Sequence, residues 1–295
     1  MVHLPADVVA LGRRREPMSA ARALADAAER VLPRVAPSWH TPIAEAVGTI
    51  AYLAAPRARA AVRANLAVVA PDRPRLARRV FINQVRGYLE VFQIPALDDK
   101  RLTAMVVVDG WDRFTRAHAQ GKGVIFASAH LGPVALVGQI LMARGFELTL
   151  PVESTESELM RAVNRARSAR GLHLVPLDSP LGIHRALRHG GVLGFLADRA
   201  VSGVGIRVPF CGREALVPSA HVAPALRTGA ALVPAFAWRE GGALHAYIED
   251  PLDLVDTGAR ESDIREGVRR FAAVLEGYVR RYPDQWTVFD RMWRD

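Results

Sequence analysis

The sequence predicts an α/β protein with a mixed, mainly parallel central sheet and helices on both of its faces, preceded by an N-terminal helical region. From about residue 105, short apolar runs alternate with longer amphipathic segments, which is the order of strands and helices in such a sheet. Half of the 295 residues are hydrophobic, which suffices for a large buried core and excludes a disordered chain. No internal repeat or low-complexity segment indicates another architecture.

The short apolar runs define the predicted strands, and the segments between them define the predicted helices. Strands are expected at 105–108, 124–127, 147–152, 172–176, 192–197, 206–210, 231–238 and 244–249. Helices are expected at 111–119, 134–144, 156–169, 181–189, 218–228 and 260–281. This alternation predicts one continuous α/β core over residues 101–295.

Further helices are predicted in the first hundred residues. Residues 1–17 are expected to form a solvated tail, and the helices are expected at 20–32, 41–54, 57–66 and 73–92. In the second of these helices, Thr41 is expected to be the N-cap and Pro42 the first helical residue. The predicted organisation is a tail and helix at 1–40 and one domain at 41–295, which begins with its own helices at 41–100.

The composition is strongly basic, with a net charge of +9 and a pI of about 10.6. The positive charges are scattered, and no zinc-finger, RNP or basic-zipper pattern is present, so nucleic acid is not predicted as a partner. The helix at 41–54 has an apolar face and lies near several arginines. Such a helix lies on a membrane surface or packs on the core with one face in water, and both interpretations stay open.

Membrane spans, disulfides and metal sites are not predicted. The most apolar early stretch, residues 46–55, is too short to cross a bilayer, and no signal-peptide pattern is present, so a soluble or peripheral protein is expected. Cys211 is the only cysteine, which excludes an intrachain disulfide. No Cys and His cluster indicates a metal, and no cofactor is predicted.

The first candidate functional residue is His130, in the stretch Gly123–Pro133. Val124, Ile125 and Phe126 read as a buried strand, and Pro133 suits the first turn of a following helix. His130 therefore lies just past the carboxyl end of a strand, where open α/β sheets bind their ligands. Histidine suits a general base because its unperturbed pKa is near neutrality. The alternative is a hydrogen-bonded polar residue without a chemical role.

Other candidates also follow strand ends. Asp198 comes directly after the strand at 192–197 and can orient a histidine as in a catalytic pair, or it pairs with Arg199 or caps a turn. Glu153 follows the strand at 147–152 and belongs either to the same cleft or to the start of the next helix. Arg167 suits phosphate or oxyanion recognition, or it lies on a solvated helix face.

Several other chemistries are excluded by missing motifs. The sequence has no G-x-S-x-G elbow, no P-loop and no dinucleotide-binding glycine fingerprint. Cys211 is a candidate nucleophile by residue type, but a single cysteine after an apolar strand more often packs in the core. The remaining chemistry is centred on the histidine and the acids.

A set of short motifs occurs in a characteristic order over roughly residues 40–295. The motifs are Arg63-Ala64-Asn65-Leu66, Gly121-Lys122-Gly123-Val124-Ile125, Ser128-Ala129-His130-Leu131-Gly132, Val152-Glu153, Leu196-Ala197-Asp198-Arg199, Val208-Pro209-Phe210-Cys211-Gly212, Thr228-Gly229-Ala230-Ala231-Leu232-Val233-Pro234, Pro283-Asp284-Gln285-Trp286 and Arg291-Met292-Trp293. Together they resemble the bacterial lipid A lauroyl/myristoyl acyltransferase family, within the lysophospholipid acyltransferase-like superfamily. The likeness is closest to the phosphatidylinositol mannoside acyltransferases.

The resemblance implies a peripheral enzyme at the cytoplasmic face of the bacterial inner membrane. It implies transfer of a fatty acyl group from acyl-CoA or acyl carrier protein to a hydroxyl of a glycolipid or phospholipid-type acceptor, without a further cofactor. His130 is then the general base and Asp198 its partner, with backbone N–H groups near Gly132, or Arg167, at the oxyanion. Glu153 and Arg199 are expected to contact substrate, and an alkyl tunnel is expected near the histidine.

One position departs from the family pattern. The family signature places Asp or Glu after four residues from the histidine, and the residue at that place here is Ala135. Asp198 is therefore expected to orient His130 in place of this acid. Two alternatives remain: a specialised acyltransferase of secondary metabolism with a non-glycolipid acceptor, or a non-catalytic lipid-binding homologue. Basic nucleic-acid binding is a fourth hypothesis, which the net charge alone supports.

Overall fold

A computed structural model describes residues 20–155, 157–200 and 203–293. Its strands, in chain order, are β1 (Val106–Asp109), β2 (Val124–Ser128), β3 (Leu148–Val152), β4 (His173–Pro176), β5 (Val192–Leu196), β6 (Ile206–Phe210), β7 (Arg213–Val217), β8 (Ala231–Glu240) and β9 (Ala243–Ile248). Seven of them form a sheet in the order β1-β9-β8-β2-β5-β3-β4, in which only β8 and β9 pair antiparallel. The mixed, mainly parallel sheet is therefore confirmed.

The helices surround this sheet and also precede it. In chain order they are α1 (Ala20–Val31), α2 (His40–Ala54), α3 (Pro56–Val69), α4 (Ala77–Gln93), α5 (Asp99–Met105), α6 (Trp111–His118), α7 (Val134–Val137), α8 (Gln139–Ala143), α9 (Glu158–Ser168), α10 (Pro180–Leu187), α11 (Val222–Thr228) and α12 (Arg260–Arg281). Local sequence explains several starts. The side chain of Asp98 caps α5, Ser157 caps α9, and Ser179 with Pro180 begins α10.

The two faces of the sheet carry different helices. Side chains alternate along β2, so Ile125 and Ala127 join the core beneath α10, α11 and α12, whereas Val124 and Phe126 point to the face that carries α6. On the α12 side, Phe271 and Leu275 are fully buried in that core. The strand ends that carry the candidate residues lie between these two layers.

The N-terminal helices form a smaller packed group. α2 crosses α4 closely at Gly48, where an added Cβ would lie 2.6 Å from the Cα of Ile82. The group buries Val62, Leu66 and Phe81. The described residues contain no helix whose length and hydrophobicity would let it cross a bilayer. The division at residues 40 and 100 stays a prediction.

Several boundaries differ from the expectations. The predicted cap of α2 at Thr41 is wrong: the helix begins at His40, because Pro37 starts a 3-10 turn that already places Trp39 in helical geometry. The predicted helix at 134–144 is divided into α7 and α8 at Gly138. Two elements were not predicted, α5 and β7.

Strand β7 forms a separate hairpin with β6, connected through Cys211 and Gly212. Both residues have positive φ, 55° and 80°, as a two-residue turn between antiparallel strands requires. β7 carries charged residues at its start, so its sequence lacks the apolar run used to find the other strands.

Candidate functional site

His130 and Asp198 lie together at the carboxyl ends of the neighbouring parallel strands β2 and β5. One carboxylate oxygen of Asp198 is 2.8 Å from Nδ1 of His130, and the other accepts the backbone N–H of His130 at 2.9 Å. Asp198 is fully buried, whereas the imidazole is partly open to solvent. With Nδ1 held by the carboxylate, Nε2 is the ring nitrogen left for a substrate.

A third donor reaches Asp198 from the C-terminal segment. The indole Nε1–H of Trp286 donates to Oδ2 of Asp198 at 2.9 Å. Burial alone would raise the pKa of Asp198, but the attraction of His130 and the hydrogen bonds from His130 and Trp286 outweigh it and hold that pKa below its usual range. Asp198 is therefore a carboxylate near neutral pH, able to stabilise an imidazolium.

The backbone of the histidine loop is held by the same C-terminal segment. The carbonyl of His130 accepts the backbone N–H of Thr287 at 2.8 Å and its hydroxyl at 3.1 Å. The N–H of Gly132 donates to the carbonyl of Gln285 at 3.0 Å. The N–H of Gly132 itself is therefore engaged within the protein, and an oxyanion role for the other N–H groups near it stays a prediction.

Gly132 is nevertheless required at its position for a steric reason. Its φ is +57°, and an added Cβ would lie 2.4 Å from the carbonyl oxygen of Ala237. Only glycine combines this backbone conformation with so close an approach to β8. The histidine loop thus passes tightly over the sheet before α7 begins.

An apolar cavity of about 130 Å³ lies beside this loop, between the sheet and the helices α7 to α9. Its walls include Phe126, Ser128, Leu148 and Leu150 from the strands and Ala135 from α7. The volume is comparable to the roughly 150 Å³ cavity that binds benzene in an engineered protein. Because benzene has six carbon atoms, a cavity of this size accommodates an alkyl segment of about six carbons. Ala135, at the place of the family acid, contributes a methyl group to this wall.

Arg167 brings a positive charge to the same cavity. Its side chain lines the cavity, and its Nε is buried without a hydrogen-bond partner among the described residues. Burial lowers the pKa of this arginine. The residue as a whole is partly exposed, so it lies at the boundary between the cavity and solvent. A guanidinium whose Nε is buried without a partner among the described residues favours a ligand that brings negative charge.

Arg199 and Glu153 are placed differently. Nη1 of Arg199 donates to Asp290 at 2.9 Å, so Arg199 does not pair with Asp198 as one interpretation proposed. Glu153 is exposed just beyond β3 and is not among the residues that line the cavity. The structure therefore brings His130 and Asp198 into contact and places Arg167 in the neighbouring cavity. The roles of all these residues stay predictions.

Cys211 does not have the properties of a nucleophile. It is buried at the β6–β7 turn, and its burial, together with the charge of Glu276, raises the pKa of the thiol to about 12. A thiolate is not formed near neutral pH. In the described part of the chain, no group of three or more His, Cys, Asp or Glu side chains is arranged to hold a metal.

The residues that the sequence reasoning missed belong to the C-terminal segment. Trp286 and Thr287 contact the two candidate catalytic residues directly, although they lie in irregular backbone that has no periodicity. The signal available for them was the motif Pro283-Asp284-Gln285-Trp286, which was used for the resemblance but not for the site.

Fold and site together define an α/β protein with a histidine–aspartate pair at the carboxyl edge of its sheet, of which only the aspartate is buried. An apolar cavity lies next to this pair: its wall includes Ser128, two residues before the histidine, but neither member of the pair. The sequence matches the family described as bacterial lipid A biosynthesis acyltransferase over residues 15–295. The chain belongs to this family, which confirms the resemblance and supports an acyltransferase activity.

Two curated relatives are similar over most of the chain. A phosphatidylinositol mannoside acyltransferase of Mycobacterium tuberculosis is 26% identical over 216 residues, which cover 70% of this chain and 67% of the relative. A phosphatidylinositol mannoside acyltransferase of Mycolicibacterium smegmatis is 26% identical over 243 residues, which cover 79% of this chain and 78% of the relative. These matches agree with the likeness seen in the motifs.

Proposed function

We propose that this protein transfers a fatty acyl group from acyl-CoA or acyl carrier protein to a hydroxyl of a glycolipid or phospholipid-type acceptor at a membrane surface. The observation that carries this proposal is the His130–Asp198 pair beside an apolar cavity, in a member of an acyltransferase family. A buried carboxylate, a half-open imidazole and space for an alkyl chain are the parts that direct transfer from a thioester needs.

In the proposed reaction, His130 is the general base. Its Nε2 takes the proton of the acceptor hydroxyl while the hydroxyl oxygen bonds to the thioester carbonyl carbon. Asp198, held at Nδ1, stabilises the imidazolium. The carbon–sulfur bond then breaks, and the thiolate leaves with the proton that His130 returns. The products are the acyl ester and the free thiol.

Charge develops on the carbonyl oxygen during this step. Arg167 is the proposed donor to this oxygen, since its guanidinium lines the cavity and its Nε has no protein partner in the described residues. The alkyl chain occupies the cavity between Phe126, Leu148 and Leu150. Ala135 keeps this space apolar at the position of the family acid.

The proposed membrane contact is the outer face of α2 together with Trp39, the residue before it. Trp39, Ile50 and Leu53 are 62%, 64% and 64% exposed. Arg57 and Arg63 are exposed on the adjoining helix α3. Apolar side chains flanked by cations match the boundary of an anionic bilayer. We place the enzyme on the cytoplasmic face of the inner membrane because both proposed acyl donors are cytoplasmic.

The decisive experiment replaces the proposed base and its partner. We expect His130→Ala to lower kcat by about 10²- to 10⁴-fold, the usual contribution of a general base. Asp198→Asn is expected to cause a large loss of acyl-transfer activity while binding of the thioester is retained. The exposed His184 on α10 provides the matched control, His184→Ala. Acyl transfer is measured with acyl-CoA and a lipid acceptor, and near wild-type turnover by His130→Ala would exclude this mechanism.

Membrane contact has a separate test. We expect Ile50→Glu with Leu53→Glu to abolish sedimentation with vesicles of phosphatidylglycerol and phosphatidylethanolamine. Leu181→Glu, on the helix α10, alters an equally exposed leucine away from α2 and is expected to leave binding unchanged. Equal binding by both variants would exclude this face as the docking surface.

The non-catalytic alternative has one observation in its favour, the alanine at position 135. It predicts that the wild-type protein binds a long-chain acyl thioester and turns it over neither with an acceptor nor by slow hydrolysis. Turnover that disappears in His130→Ala would exclude this alternative.

A further inference from the structure

Trp286 holds one oxygen of the buried carboxylate on which the proposed mechanism depends. Its indole N–H donates to Oδ2 of Asp198 at 2.9 Å, and the same oxygen accepts the backbone N–H of His130 at 2.9 Å. The other oxygen, Oδ1, faces Nδ1 of His130. Two donors on Oδ2 fix the plane of the carboxylate, so that Oδ1 points at the ring.

We propose that Trp286 is a positioning residue: its N–H sets the orientation of Asp198, and thereby the orientation and basicity of His130. This inference rests on the proposed function, because it concerns the same pair. It adds a residue that lies far from the pair in the chain and is not among the residues that line the cavity.

The surroundings of Trp286 make it a rigid support. Its ring is buried, with centroids 6.1 Å from Phe210 and 6.3 Å from Trp293. Its backbone forms an antiparallel bridge with Leu131, and the next residue, Thr287, donates twice to the carbonyl of His130. The ring and the backbone of this segment therefore hold the carboxylate and the histidine loop together.

Further contacts tie this segment to the rest of the protein. The side chain of Gln285 bonds both backbone groups of Arg239 on β8, at 2.8 and 2.9 Å. The side-chain amide of Asn65 on α3 binds the carbonyl of Asp290 at 2.8 Å and accepts the N–H of Met292 at 2.9 Å. Because it is anchored on both sides of Trp286, the segment has little freedom to let the indole turn away.

The test compares two buried tryptophans of one cluster. Trp286→Phe removes the N–H that reaches Asp198 and keeps an aromatic ring. Trp293→Phe is the matched control, because its indole stacks on the same Phe210 while its buried Nε1 has no hydrogen-bond partner in the described residues. Both variants lose a similar amount of ring packing.

We expect Trp286→Phe to lower kcat by about 10- to 100-fold, as for a hydrogen bond to a charged group, with the KM for acyl-CoA unchanged. Trp293→Phe is expected to stay close to wild type in both constants. The proton on Nδ1 of His130, observed by proton NMR in the low-field region, is expected to shift in Trp286→Phe and to stay in place in Trp293→Phe. Equal kinetics and equal spectra for the two variants would overturn the inference.

Two further arms keep the result unambiguous. If Trp286→Phe does not fold, replacement of Trp286 by its benzothienyl analogue, in which sulfur takes the place of the N–H, repeats the test with the ring size retained. His130→Ala is assayed in parallel. If His130→Ala loses turnover but removal of the indole N–H has no effect, the inference is overturned and the proposed function is left intact. Full turnover in His130→Ala overturns both.

Discussion

The two faces of the central sheet are formed by the same strands, but the space between each face and the helices that cover it is packed differently. Beneath α10, α11 and α12, large side chains such as Phe271 and Leu275 meet in a closed core. Beneath α7 and α8, an open cavity remains, and part of its lining consists of the small residues Ala135, Gly138 and Gly194. Proteins rarely leave such voids in a core because lost contacts destabilise the fold. Under the proposed function, one face maintains stability and the other is kept open for the acyl chain.

The largest effect that tests this comparison is a loss of stability on the packed face. Phe271→Ala is expected to lower the free energy of unfolding by about 3–5 kcal/mol, because its fully buried ring leaves a cavity. Urea denaturation measures this change, with the exposed Leu181→Ala as the control. Activity per folded molecule is expected to stay unchanged. A large drop in turnover at constant folded fraction would show that the packed face also contributes to the site.

A smaller effect on the same face depends on pH. His221 is fully buried without a hydrogen-bond partner in the described residues, and burial lowers its pKa to about 3. An unfolded histidine has a pKa of about 6.5, so between these values the unfolded chain binds a proton that the folded chain does not. Stability is therefore full above pH 6.5 and falls as the pH decreases towards 3.

Between pH 7 and pH 5 this linkage corresponds to about 2 kcal/mol. We expect His221→Leu to remove that part of the pH dependence, as measured by urea denaturation at a series of pH values. Wild type and variant share every other titrating group, so the difference between their two curves isolates His221. If the unfolding free energies of wild type and variant change in parallel with pH, water must reach His221 in the folded protein.

The last expected effect concerns substrate preference on the cavity face. Gly138 has ordinary helical dihedrals, and an added Cβ would lie 3.6 Å from Leu148 in the cavity wall. Gly138→Leu is therefore expected to fold normally and to occupy the space of two or three methylenes. At roughly 0.8 kcal/mol per methylene, long-chain donors lose about 10- to 100-fold in kcat/KM, while short-chain donors are nearly unaffected.

A series of acyl-CoA donors of increasing chain length measures this change. Gly277→Leu is the matched control, because Gly277 lies on an exposed part of α12 with no neighbour within 4 Å of an added Cβ. An unaltered chain-length profile in Gly138→Leu would place the alkyl chain elsewhere and would break the comparison between the two faces.

The sequence predicted most of the sheet and the position of the central pair for one physical reason. His130 and Asp198 each follow a short buried run, and the carboxyl ends of adjacent parallel strands converge. That argument needs only local patterns. Local patterns also predicted the long helix at 260–281, which matches the bounds of α12.

The features that sequence reasoning missed depend on tertiary contacts. Nothing in the local pattern of residues 283–293 indicates that an indole reaches a carboxylate 88 positions earlier in the chain. Arg167 was placed on a helix, but the choice between a solvated and a cavity-facing side chain is decided by how α9 packs. The cap of α2 was missed because Pro37 begins the helical geometry four residues before Thr41.

The attachment of the histidine loop to Trp286 and Thr287 also has a consequence for biosynthesis. During translation, the sheet strands that carry residues 130 and 198 leave the ribosome well before the tryptophan that joins them. A nascent chain can thus fold much of its core while its acid–base pair is still unsupported. The pair acquires its support only after residues 286 and 287 have been synthesised.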